Sequence, residues 1–368
     1  MIDRLISMIL AGLCCLGLTA PAAVPAAVDA PAASANAALS LERTITYSDV
    51  PADHWSASSV NRATALGLFQ GVGENTFGRG QPISRAAFVT ALMRLFDWEP
   101  VTPEENAFTD VTPERWFYSA VETALANEAI AAAESTFRPT EDVTREEMAS
   151  MLIRALGYTS LAGVAAGYSA PFSDVNTNRG FIVVAHDLGI VGGVGDDLFA
   201  SNGTATREQA AAMLVRVHDL LTARSTLLEE AGEYRTVTVE TPAPEEGAEL
   251  PTTPLEPLTE LYDTLRQLKS SGADMDQAVL CLSAGGTGTV VDEEGTILST
   301  DTFTAQQVEE LLGQKGVKTY YSERYESNYC IYTPREGQTA VVWYQSEESL
   351  AAKLQLARLF GVTKFMLA

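Results

Sequence analysis

Histidine is scarce in this chain of 368 residues. Only His54, His186 and His218 occur, widely separated, and no Cys/His cluster has the spacing of a zinc site. The pattern gives no metal site, and no cofactor is expected. Cysteine is equally sparse. Cys14 and Cys15 lie in the apolar N-terminal segment, which leaves Cys281 and Cys330. Export permits that pair to form a disulfide, and their strand-like apolar surroundings equally suit two buried thiols. Basic residues are outnumbered, 24 against 48 acidic, for a net charge of −24. That balance argues against a nucleic-acid-binding protein, which needs a basic patch. It also disfavours non-specific adhesion to any anionic surface, so binding to one must be local and specific. Long apolar runs are missing apart from Leu5 to Leu18, which follows Arg4 and precedes Ala-x-Ala patterns between Ala20 and Ala38. That run is too short and wrongly flanked for a spanning helix. Residues 1–38 read as a secretory signal, with no lipidation pattern before either cysteine, and no membrane span is expected in the mature chain.

What the chain does have is one phrase used three times. It reads Phe77-x6-Ser84-Arg85, Phe137-x6-Thr144-Arg145 and Phe199-x6-Thr206-Arg207, with copies 60 and 62 residues apart. A fixed period of this length means one structural unit repeated. Upstream of each copy stand Ser48-Asp49-Val50, Thr109-Asp110-Val111 and Ser173-Asp174-Val175. Trp55 and Trp116 follow the first two Asp residues by six. Ser84, Thr144 and Thr206 are N-cap residues for a second helix in each unit. Thr144 with Glu147 and Thr206 with Gln209 predict capping boxes, whereas Ser84 with Ala87 does not. Apolar residues follow at helical spacing: Phe88, Leu92, Leu95 and Phe96; Met148, Met151, Leu152 and Ala155; Met213, Leu214 and Val217. These stripes read as core.

The arginine after each cap breaks a local rule, because a cation there faces the positive end of the helix dipole. Three copies of one violation point to a special role. Two readings stay open. The arginine is structural, bonded to a carbonyl or to its repeat's own Asp, or it binds an anion whose carboxylate or phosphate suits the guanidinium fork.

Taken together, these units resemble S-layer homology (SLH) domains, whose helix start reads Thr-Arg-Ala-Glu. Here it reads ISRAA at 83–87, VTREE at 143–147 and ATREQ at 205–209. The likeness divides the region into repeats at 47–100, 107–160 and 171–224. In that family three repeats make one largely helical, pseudo-threefold domain. It binds secondary polymers on peptidoglycan, often through pyruvylated sugars, and tethers secreted proteins to the cell wall. The resemblance implies polymer-binding roles for Arg85, Arg145, Arg207, Trp55 and Trp116. It implies fold-holding roles for Asp49, Asp110, Asp174, Phe77, Phe137 and Phe199. The third unit departs from the pattern: Thr177 stands where Trp is expected, and Ala200-Ser201-Asn202 replaces the usual Arg-Pro.

From 225 to 257 the composition turns acidic and proline-rich (TPAPEEGAELPTTPLEP), which reads as an extended linker. Residues 258–368 read as an α/β domain. AVLCLSAGG at 278–286 and AVVWYQSEESLAAKLQLARLFGVTKFMLA at 340–368 are similar to the C-terminal half of glycoside hydrolase family 18, the chitinase-like enzymes of the spore cortex-lytic branch. The likeness implies a partial barrel, with Trp343 and Tyr344 available to stack on sugar rings. That family's catalytic Asp-x-x-Asp-x-Asp-x-Glu motif is not found in the sequence. About 110 residues also fall short of a barrel of roughly 250. The expectation is a secreted, wall-anchored, non-enzymatic protein. The competing expectation is a wall-associated glycosidase of family 18 type acting on peptidoglycan or chitin.

Overall fold

Each repeat builds two helices joined by a polar turn, and the start of the second follows from its cap. In the computed structural model, which describes residues 46–132, 134–175, 177–236, 249–251, 257–282, 285–322 and 327–367, repeat 1 holds α1 (Ala57–Ala65) and α2 (Arg85–Leu95). Repeat 2 holds α3 (Tyr118–Ala126) and α4 (Arg145–Ala155). A short α5 (Thr159–Ala165) precedes α6 (Arg179–Asp187) and α7 (Arg207–Thr236) of repeat 3. The expected secretory segment 1–38 lies outside the described residues. No described helix is long and apolar enough to cross a membrane.

Extended Ser84 and Thr144 accept from the amides of Ala87 and Glu147, and Glu147 returns the bond to Thr144. The expected box at Thr206 is only half formed. Gln209 Oε1 accepts from the Thr206 amide at 3.1 Å, while the Thr206 hydroxyl is buried without a partner. The repeated Phe77, Phe137 and Phe199 are core residues, at most 2% exposed. Beside them the segments entering α2, α4 and α7 meet in a closed ring of backbone bonds. Ile83 N–H donates to Ala205 O at 3.1 Å, Ala205 to Val143 at 2.9 Å, and Val143 to Ile83 at 2.9 Å. Every repeat thus gives one bond and takes one, so none can satisfy its own backbone alone.

The chain divides into two compact units, the repeats up to Thr222 and a second unit from Ala223. The expected linker is partly regular structure. Helix α7 runs on to Thr236, and Glu249–Pro251 forms strand β1. Strand β1 pairs in parallel with β2 (Val279–Leu282), which pairs in parallel with β8 (Lys364–Leu367). The rest is not further barrel. Strands β3 (Gly286–Val291), β4 (Ile297–Phe303), β5 (Lys318–Ser322), β6 (Ser327–Tyr332) and β7 (Thr339–Tyr344) make an antiparallel sheet in the order β4-β3-β7-β6-β5. Helix α8 (Leu258–Ser270) buries Leu261, Tyr262 and Leu265, and Tyr262 meets Phe360 beyond α10 (Glu347–Leu359) edge-on at 5.7 Å. Helix α9 (Ala305–Leu312) lays Val308 and Leu311 against Cys330, Val342 and Tyr344 on one face of the antiparallel sheet. Cys281 and Cys330 are not joined in a disulfide and are buried in different sheets, and burial pushes the Cys330 thiol up to about 11.

Candidate functional site: the grooves between repeats

The arginine after each cap belongs to its neighbour's structure. The Arg85, Arg145 and Arg207 amides donate to Glu141 O, Gly203 O and Gln81 O of the following repeat, at 2.9, 3.1 and 3.0 Å. Their side chains follow. Arg85 Nε donates to Phe137 O at 2.8 Å, Arg145 Nε to Phe199 O at 2.8 Å, and Arg207 Nε to Phe77 O at 2.9 Å. Each guanidinium also lies over the ring of that same Phe, at 4.9, 4.7 and 5.0 Å. Repeat 1 reaches repeat 2, repeat 2 reaches repeat 3, and repeat 3 returns to repeat 1. The break in the helix-dipole rule is thereby accounted for. The first-turn amide finds an acceptor in the next repeat, and the cation caps a carbonyl there.

The carboxylates hold those same Phe residues. Asp49 accepts from the amides of Phe77, Gly78 and Arg79 at 2.8, 2.7 and 2.8 Å. Asp110 accepts from Phe137 and Arg138, both at 2.8 Å. Asp174 accepts from Phe199, Ala200 and Ser201 at 2.7, 2.7 and 3.2 Å. None reaches its repeat's arginine as an ion pair. Burial pushes the Asp49 carboxyl up, but its amide donors outweigh that and hold it below the usual value; the Phe199 amide leads the same lowering at Asp174. A lowered folded value means stability that is present above the unfolded carboxyl value and lost as pH falls through the folded one. The melting-temperature gap between wild type and Asp174→Asn is therefore expected to be full at neutral pH and to close below about pH 4. A gap independent of pH in calorimetric scans would contradict this.

Around the three arginines the surroundings differ. Arg145 Nη2 donates to Gly192 O at 2.8 Å, and the side chain lines a cavity of about 340 Å³ with Trp55 and Arg216. Trp55 comes from repeat 1, Arg145 from repeat 2, and Gly192 and Arg216 from repeat 3. Trp55 is 59% exposed. Burial, then the adjacent Arg216, pull the Arg145 guanidinium below its ordinary value, and Asp174 offsets part of this. Among the described residues no carboxylate lies within ion-pair distance of Arg145 or Arg216. Two cations with a flat ring beside them suit an acidic sugar.

Arg207 Nη2 donates to Gln70 O at 2.9 Å, and burial lowers this guanidinium too. Tyr47, Asp49 and Glu208 oppose that lowering. Trp116, 68% exposed, stands two residues before α3 as Trp55 stands before α1. Arg85 instead forms an ion pair with Glu147. Thr177, in the tryptophan's place before α6, donates with Asn178 to the buried Glu146.

A second arginine recurs with it: Arg94, Arg154 and Arg216 each follow the first by nine residues. That constant spacing was a usable signal. Arg94 and Arg216 donate to Leu68 O and Ile190 O, whereas Arg154 stacks at 4.7 Å on Phe181. In the second unit, Trp343, Tyr329 and Tyr320 lie in register across β7, β6 and β5, with ring centroids 4.8 and 5.2 Å apart. Tyr344, the next residue on β7, packs under α9 and is 7% exposed, because neighbours on a strand face opposite ways. Among the described residues no group of three or more His, Cys, Asp or Glu could hold a metal.

Comparison with known proteins identifies the repeated unit. The S-layer homology domain matches residues 46–89, 107–149 and 171–211. A cell surface protein of Thermoanaerobacter kivui is 29% identical over 184 residues, 49% of this chain and 22% of that protein. Exoglucanase XynX of Acetivibrio thermocellus is 26% identical over 180 residues, 47% of this chain and 16% of the enzyme. The chain thus spans less than a quarter of either relative's length. Among solved structures, the spore cortex-lytic enzyme SleL of Bacillus cereus is 14% identical over 34% of this chain and 28% of its own, with a TM-score of 0.28. The chain carries three tandem S-layer homology domains, joined in closed succession by their own arginines, and is a protein of the cell surface.

Proposed function

We propose that the repeats form a pseudo-threefold domain that anchors the chain non-covalently to the wall by binding an acidic, pyruvylated secondary polymer on peptidoglycan. The observation that carries this reading is the groove where Trp55, Arg145 and Arg216 converge from three repeats, with no carboxylate among the described residues paired to either cation. On a chain of net charge −24 such a place is a local exception, and a buried Arg145 beside an exposed Arg216 favours a bound anion. The ring of Trp55 offers an apolar face for a sugar. The second unit fits a glycan-binding role without catalysis, through the row Trp343, Tyr329 and Tyr320. Release of reducing ends from peptidoglycan or chitin by the purified chain would reverse the non-enzymatic part.

Co-sedimentation of the full chain with wall sacculi, before and after the secondary polymer is stripped, tests the anchor. Binding is expected before stripping and not after it. Trp55→Ala is expected to weaken binding about tenfold, the equivalent of about 1.4 kcal/mol, with an unchanged melting temperature because the ring is exposed. Equal binding to stripped and native sacculi would overturn the reading.

A further inference from the structure

The three repeats share a sequence pattern, but the residue three places after each cap differs: Ala87, Glu147 and Gln209. In repeats 2 and 3 this residue's side chain accepts from the cap's own amide. Glu147 Oε2 takes Thr144 N–H at 2.9 Å, and Gln209 Oε1 takes Thr206 N–H at 3.1 Å. What the rest of the side chain offers decides the charge of the neighbouring groove. Gln209 is neutral and lines the cavity of Arg145. Ala87 offers nothing polar. Glu147 presents its other oxygen to Arg85, and Arg138 stands 3.7 Å from that same oxygen. Both carboxylate oxygens of Glu147 are thus occupied, and Arg85 already has an anion. Repeat 3 carries Thr177, bonded to Glu146, at the position where repeats 1 and 2 carry Trp55 and Trp116.

We propose that Glu147 is a built-in counter-anion that closes the Arg85 groove. Acidic ligands then bind the chain at no more than two of its three grooves, first at Arg145. The inference deepens the anchoring reading and rests on it for the ligand. The physical reason is competition: an incoming carboxylate must displace one already held by a backbone amide and two cations, at a fixed distance and with no entropy left to lose. At Arg145 the incoming anion displaces nothing charged.

Glu147→Gln separates charge from fold, because Gln209 shows that an amide oxygen serves the same cap. Two readouts on the full chain test the idea. The first is calorimetric titration with a soluble monosaccharide bearing a pyruvate ketal. Wild type is expected to bind at most two equivalents, and Glu147→Gln one more, weaker because no tryptophan stands there. The second needs no ligand: modification by phenylglyoxal, read at each arginine by mass spectrometry. Arg85 and Arg145 are both nearly buried, 9% and 6% exposed, so burial alone predicts similar rates. The proposal predicts Arg85 to react at least several-fold more slowly than Arg145, and to catch up in Glu147→Gln. Three equivalents bound by wild type, or equal modification of Arg85 and Arg145, would overturn it. If wild type binds no glycoside while Arg85 is protected and Glu147→Gln releases it, the anchor reading falls and the closed groove stands.

Discussion

Arg145→Ala is expected to lower the melting temperature of the repeat unit by about 10 °C, well before any question of binding arises. The guanidinium donates to Phe199 O and Gly192 O and lies over the Phe199 ring. Hydrogen bonds from charged groups contribute about 1.5–3 kcal/mol each, and buried acceptors left unpaired add their own cost. A total of about 3–5 kcal/mol is expected, and about 2–4 °C is lost per kcal/mol in a domain of this size. Arg145→Lys keeps the charge, but a single ammonium cannot span two carbonyls and a ring face, so about half the loss should remain. Calorimetry on the two variants checks this. If Arg145→Ala melts with wild type, the arginine is not the strut between repeats 2 and 3 that the geometry describes. Loss of wall binding on changing these arginines to alanine is therefore no proof of contact with polymer. Trp55→Ala is the cleaner probe, since its ring is largely exposed.

Gly180→Ala carries the other large effect. A Cβ at this position would sit 1.8 Å from Ala162 O and 2.9 Å from Ala166 N. Both are backbone atoms at α5 and its C-terminal end, so no side chain can rotate aside. The substitution must part α5 from α6, and with them the buried Leu161, Ala165, Ile182 and Val183. Overpacking of this kind costs about 3 kcal/mol or more. Gly163→Ala, on the same helix α5, meets nothing within 4 Å. It is expected to stabilise by about 0.5–1 kcal/mol, because alanine is the better helix former. Opposite signs for two Gly→Ala changes in neighbouring helices are the outcome to look for in denaturant unfolding. A neutral Gly180→Ala would mean that the helices do not cross this closely.

Much of the repeat unit was legible in the sequence, because its determinants are local. Ser84 and Thr144 cap the helices they precede, the repeated Phe is core, and each Asp grips the amides at its own repeat's Phe, 25 to 30 residues away. A repeated spacing also carries Arg94, Arg154 and Arg216. In the second unit the β3–β4 hairpin and the capped α9 follow as locally from the turn at Asp292 and the box of Thr304 with Gln307. The parallel pairing of Glu249–Pro251 did not, because a strand of three residues inside an acidic, proline-rich stretch has no period of its own.

The sequence by itself determined that one unit is used three times, that an arginine heads each second helix, and that this position needs an explanation. Only the tertiary structure decided which carbonyl each arginine meets, because the partners lie 52, 54 and 130 residues away and are joined by closure of the ring. It also decided that Arg145 is left with a second cation while Arg85 is given a carboxylate. Glu147 and Gln209 serve the same local cap, so no local rule separates them. They differ in the charge each turns toward a groove formed with another repeat, and charge across a fold is set by what folding brings within a few ångströms.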